Sequence, residues 1–153
     1  AFPQTETWDR TASVRTPTFN QNCKPLFAAG FVFHNWIEDT DHQNHGGNLL
    51  VDADSSEHAP AIAFIDHAFS MTYRWTSTYG AQVTAINGYY CPVADIPRNV
   101  MVDVIRRVED VDQSLLDEIV RRIPPPFLSN ERANVIVENL LRRREHLASL
   151  LLP

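Results

Sequence analysis

A chain of 153 residues is one domain's worth of sequence, and a domain of that size buries roughly 70% of the surface its unfolded chain exposes. Hydrophobic residues at 44% and charged residues at 21% exclude wholesale disorder, and a formal net charge of -6 argues against a nucleic-acid partner, whose domain would be basic. No apolar run approaches the ~18 residues of a membrane-spanning helix, so no membrane span is expected.

Residues 1–23 are polar and rich in threonine, carry Pro3 and Pro17, and show no period, which predicts an extended lead-in. The start at Ala1 instead of Met fits a cut or processed piece. Lys24 to Glu38 predicts a helix with Pro25 in its first turn, largely buried through Leu26, Phe27, Phe31, Phe33, Trp36 and Ile37. Asp39 to Gly47 is entirely polar or glycine and predicts a loop. Asn48-Leu49-Leu50-Val51 and Ala61 to Ile65 are apolar runs of strand length, and the polar stretch between them predicts a hairpin. From Ala68 to Pro97 aromatics and turn residues mix without period, which predicts a long irregular segment.

Beyond Pro97 the helical pattern strengthens. Val100, Met101, Val104, Ile105 and Val108 mark one face of a helix over Arg98 to Glu109. Asp112 is placed to cap a helix over Gln113 to Ile123, which Pro124-Pro125-Pro126 stops. Ser129 is placed to cap a final helix whose stripe runs from Ala133 to Leu151, with the Arg142–Arg144 run mostly on the solvated side. The fold class expected is α+β, mostly helical, with a small two-stranded hairpin beside the polar loop. Cys23 and Cys91 are too few for a disulfide framework and match no metal-ligand spacing, which points to a reducing, cytoplasmic compartment.

Reactive side chains concentrate between Glu38 and Asn48 and again at Asp66-His67. A hairpin would bring the two groups together. Asp41 can then take a proton from an attacking hydroxyl, while Asn48 and Asp66 supply the hard oxygen donors that Mg²⁺ prefers. His45 is placed to contact phosphate. Each residue also has a plainer role: Asp41 and Asn48 as turn formers, His67 as a hydrogen-bonded structural histidine, His42 and His45 as solvent-facing loop groups.

The order Thr40-Asp41, polar insert, Asn48-Leu49-Leu50-Val51, then Phe64-Ile65-Asp66-His67 resembles the catalytic half of HipA-like kinases. More loosely it is similar to the lipid-kinase group of the protein-kinase-like superfamily. The likeness covers roughly residues 24–153. It implies a kinase-like C-terminal lobe with Asp41 as catalytic base, Asn48 and Asp66 as metal ligands, and ATP with Mg²⁺ as cofactors. The acceptor is a protein, lipid or small-molecule hydroxyl. His42 stands where these families usually place arginine, and Ala68 where a glycine is usual. The only lysine, Lys24, opens the predicted helix, so the family's phosphate-covering loop and ATP-pairing lysine have no counterpart here. The N-terminal lobe would lie upstream in a longer parent, and the isolated chain is expected to be inactive or nearly so. Two other classes compete: a metal-dependent hydrolase built on Asp39, Asp41, His42, His45, Asp66 and His67, and a catalytically silent interaction domain.

Overall fold

The apolar stripe of the first helix begins at Phe19, ahead of the expected start at Lys24. In a computed structural model of the chain, which describes residues 5–7, 17–43, 46–52, 56, 59–67, 70–71, 75, 85–86 and 89–152, helix α1 spans Pro17–Ile37. Phe19, Cys23, Phe27 and Phe31 recur every four residues and all are buried. Pro17, not Pro25, opens the helix, and Pro25 lies inside it on the exposed side. An internal proline costs about 3 kcal/mol. Burying Phe19 alone returns about 1.5–3 kcal/mol, and Cys23 adds to it, so tertiary packing carries the helix through the proline.

Three short strands form an antiparallel sheet in the order β1–β2–β3, with β1 at Thr5–Thr7, β2 at Leu49–Asp52 and β3 at Ile62–Phe64. The expected hairpin is β2–β3, with Leu49 opposite Phe64 and Val51 opposite Ile62. The strand pairing Thr5 with Asp52 is an addition to it, since part of the lead-in completes the other edge of β2. Leu49 and Val51 are fully buried, alternating with half-buried Leu50 and Asp52.

Helix α2 (Arg98–Glu109) buries Met101, Ile105 and Val108, as its stripe predicts. Helix α3 (Gln113–Val120) starts at Asp112, whose side chain accepts from the Leu115 amide at 2.8 Å. It ends three residues before Ile123, because a residue preceding proline is pushed out of the helical region. Helix α4 (Asn130–Leu151) is capped by Ser129 as expected. Helices α2 and α4 both pack on α1, which places α1 at the centre of the core. The arginine run departs from its expected place. Arg143 is 2% exposed and sits inside the core, for a reason that lies at the end of α1.

Candidate functional site

The site is built on how α1 stops. Glu38 takes a left-handed conformation (φ 53°), and the Asp39 amide donates back to the His34 carbonyl at 2.8 Å. Such a closing turn usually carries glycine, since a side chain there costs about 1–2 kcal/mol. The Glu38 carboxylate accepts from the Trp75 indole and lies 3.9 Å from Arg143 Nη1, which offsets that cost. Arg143 Nε also donates to the carbonyls of Asn35 (3.1 Å) and Trp36 (2.9 Å) in the last turn of the helix, where backbone carbonyls run short of amide partners. The turn therefore delivers Asp39 and the loop after it in a fixed direction.

Of the expected catalytic residues, Asp41 and Asn48 meet directly: Asn48 Nδ2 donates to Asp41 Oδ2 at 2.7 Å. Asn48 is buried at the start of β2, and its carbonyl accepts from the Ile65 amide at 2.9 Å. That bond extends the β2–β3 ladder by one rung and sets Asp66 one residue beyond it. Asp66 is exposed and left-handed (φ 58°), a conformation that aspartate adopts more readily than most residues. His45 lies outside the described residues.

A second constellation forms beside the first. Asp39 is fully buried, and its Oδ2 accepts from Ser70 Oγ at 2.7 Å and lies 2.7 Å from His67 Nδ1. Its Oδ1 accepts from the Asp41 amide at 3.2 Å and lies 3.1 Å from His42 Nδ1. The His42 contact is ionic in range but off the hydrogen-bonding direction, and neither His42 nitrogen has an aligned partner. Burial alone would raise the Asp39 pKa. The contacts from His42, Ser70 and His67 outweigh it and hold the carboxyl well below the usual carboxylate range.

The three imidazoles crowd together, with His42 stacked on both His34 and His67 and the remaining pair tilted. Ring centres lie 4.0 Å apart for His34–His42, 4.9 Å for His42–His67 and 5.5 Å for His34–His67. Burial, with His42 and His67 alongside, lowers the His34 pKa from 6.5 to about 3, so this ring is neutral at physiological pH. Tyr89, its phenol pKa raised by burial, places its hydroxyl 2.7 Å from His34 Nδ1. Potential ligand atoms of His34, Asp39, His42 and His67 all lie within 4.8 Å of one another.

Two sequence expectations are corrected here. His42 is fully buried rather than solvent-facing, because Asp39 and the flanking rings of His34 and His67 enclose it. Arg143 is a buried anchor rather than a solvated charge, because its position on α4 faces the end of α1. His34 escaped the sequence reading altogether. Its spacing from Phe27, Phe31 and Ile37 marks it as a core position, and only the fold shows what it meets. A cavity of about 390 Å³ lined by Gln113, Asp117, Arg121 and Asn134 lies between α3 and α4 and shares no residue with either constellation. No helix among the described residues is long and apolar enough to cross a membrane. Comparison of the chain with protein-family models, with curated proteins and with solved structures returns no match.

Proposed function

We propose that the chain is the catalytic lobe of a HipA-like kinase, transferring a phosphoryl group from Mg²⁺·ATP to a hydroxyl acceptor. The observation that carries this reading is the Asn48–Asp41 hydrogen bond at 2.7 Å, with Asp66 following directly on Ile65, whose amide pairs with the Asn48 carbonyl. Asp41 is the base that receives the acceptor's proton. Asn48 and Asp66 would hold Mg²⁺, whose role is to neutralise charge on the phosphate oxygens, and His45 would contact the phosphates. Phosphoryl transfer asks mainly for positioning and charge stabilisation, and a base, a carboxamide and a carboxylate at one sheet end supply that set. The left-handed backbone at Asp66 fits a functional role, since such strain tends to collect at active sites.

Spin resonance of Mn²⁺, standing in for Mg²⁺, tests the reading. A weak component of Mn²⁺ binding that depends on added ATP is expected, reduced at least tenfold by Asp66→Asn and by Asn48→Ala. Equal nucleotide-dependent binding in the variants would refute the assignment. In a chain that also carries a nucleotide-binding lobe, Asp41→Asn is expected to abolish transfer. The hydrolase alternative draws on the meeting of Asp39, His42 and His67. With His34 they make a group that leaves Asp41 and Asp66 out and is buried at three of its four members, which suits a closed site better than substrate entry.

A further inference from the structure

Buried polar atoms are ordinarily satisfied, because one left without a partner gives up its solvation for nothing in return. His34 Nε2 and both ring nitrogens of His42 are buried with no hydrogen-bond partner among the described residues. These orphaned atoms belong to two members of the one group that also contains Asp39 and His67. We propose that His34, Asp39, His42 and His67 form a closed site for a divalent ion of the zinc class, separate from the Mg²⁺·ATP ligands.

The side chains lie near tetrahedral spacing but must close on an ion by side-chain rotation, since their potential ligand atoms spread over distances up to 4.8 Å. Metal–ligand distances of about 2.1 Å imply ligand atoms ~3.4 Å apart and imidazole centres ~5.2 Å apart. The Asp39 Oδ1–His42 Nδ1 separation is already 3.1 Å. Ring centres of His42–His67 at 4.9 Å and His34–His67 at 5.5 Å bracket the required spacing. The His34–His42 stack, at 4.0 Å, must open by about 1 Å to reach it. Three imidazoles and one carboxylate favour Zn²⁺, Co²⁺ or Ni²⁺ over Mg²⁺ and Ca²⁺, which prefer oxygen.

The surrounding bonds suit ligation. Coordination at His34 Nε2 selects the tautomer whose Nδ1–H donates to the Tyr89 oxygen, 2.7 Å away. Asp39 Oδ2 is held by Ser70 and lies 2.7 Å from His67 Nδ1, which leaves Oδ1 on the His42 side and Nε2 as the free ring nitrogen of His67. Entry is through His67, whose side chain is 38% exposed while those of Asp39 and His42 are fully buried. The ion would join three segments: α1 through His34, the loop at Asp39 and His42, and the end of β3 through His67. His42 directly follows Asp41 and His67 directly follows Asp66, so on the kinase reading the metal would fix the base and a Mg²⁺ ligand relative to each other.

The test uses the untagged chain, stripped with EDTA and dialysed, with no nucleotide present, so its outcome is independent of the kinase assignment. Co²⁺ is titrated by visible absorption and Zn²⁺ by calorimetry. The expected result is 1:1 Zn²⁺ binding, a tetrahedral Co²⁺ spectrum displaced by one equivalent of Zn²⁺, and a raised thermal midpoint that Mg²⁺ does not produce. His67→Ala should weaken Zn²⁺ at least tenfold, and His146→Ala, on the exposed face of α4, should leave affinity unchanged. Absence of the Co²⁺ spectrum overturns the proposal, as does unaltered affinity in His67→Ala or equal loss in His146→Ala. Should circular dichroism show that His67→Ala has lost its fold, the Co²⁺ spectrum of the unmutated chain and its displacement by Zn²⁺ decide alone.

Discussion

Replacing Arg143 with methionine isolates the contact on which the direction of the site loop depends. Methionine keeps most of the buried volume but removes the donors to Asn35 and Trp36 and the charge facing Glu38 across 3.9 Å. It also removes a guanidinium 6.0 Å from the centre of the Trp75 ring. Both Arg143 and Glu38 are buried, and breaking a buried pair from one side costs about 3–5 kcal/mol because the remaining charge is stranded. For a domain of this length each kcal/mol lowers the melting midpoint by about 2–4 °C, so a drop near 10 °C is expected. Calorimetry on the unmutated chain, Arg143→Met, Glu38→Gln and the double variant measures it. The double variant should be less destabilised than the two single changes added together, by at least 1 kcal/mol. Arg142→Met, which breaks a surface pair with Glu138, should change stability by about 0.5 kcal/mol or less. An Arg143→Met effect as small as the Arg142→Met one would refute the anchoring role.

Three further outcomes are expected. Gly30→Ala, which in an exposed helix would gain up to ~1 kcal/mol, should here destabilise in urea titration, because a Cβ would fall within 2.6 Å of Phe64 Cε2 and 2.5 Å of the Tyr89 hydroxyl. Acidification should weaken the fold through His34: its folded pKa of about 3 lies below the unfolded 6.5, so the unfolded chain takes up the proton first. That stability is complete above pH 6.5 and is lost as pH falls toward 3, by about 2 kcal/mol at pH 5, and a His34→Gln variant should lose this slope. Asp39 shifts in the same direction but acts only below about pH 4, so the two windows separate in a pH series of urea midpoints. Asp112→Ala should cost about 1 kcal/mol by removing the cap on the Leu115 amide, and Asp112→Asn should restore most of it.

Local signals were legible in the sequence. Asp112 and Ser129 cap helices because a side-chain oxygen needs only the next three residues to do so, and the α2 stripe reads directly because one face meets the core. The β2–β3 hairpin followed from two apolar runs around a polar stretch. The start of α1 was missed because Pro25 looks like a boundary, while the burial of Phe19 and Cys23 that overrides it is a tertiary fact. Strand β1 was missed because three residues carry no period. Arg143 and Arg144 read as solvated in a run of like charges, yet Arg143 reaches the end of α1 and Arg144 donates to the Val111 carbonyl. At the site, Asp41 and Asn48 were named from their order and do meet, whereas the role of His34 depends on residues 33 positions away that no local pattern connects to it.

Backbone strain and charge share one address in this fold. The non-glycine residues with positive φ among those described are Glu38, Asp66 and Met71. Each costs about 1–2 kcal/mol that something must offset. Glu38 is held by Arg143 and Trp75, and Met71 by the hydrogen bond its amide N–H donates to the Ile37 carbonyl at 2.9 Å. Asp66 lies between the ladder rung at Ile65 and the His67 contact to Asp39. Asp39 links these supports, since it follows Glu38 and accepts from Ser70 next to Met71. A buried carboxylate and its polar partners, if used only to stabilise, would be replaceable as a complete set by apolar packing at little cost, often with a gain. Keeping this one charged, buried and surrounded by three imidazoles makes sense where the geometry of its neighbours matters more than stability, and the residues it holds in place stand next to Asp41 and Asp66.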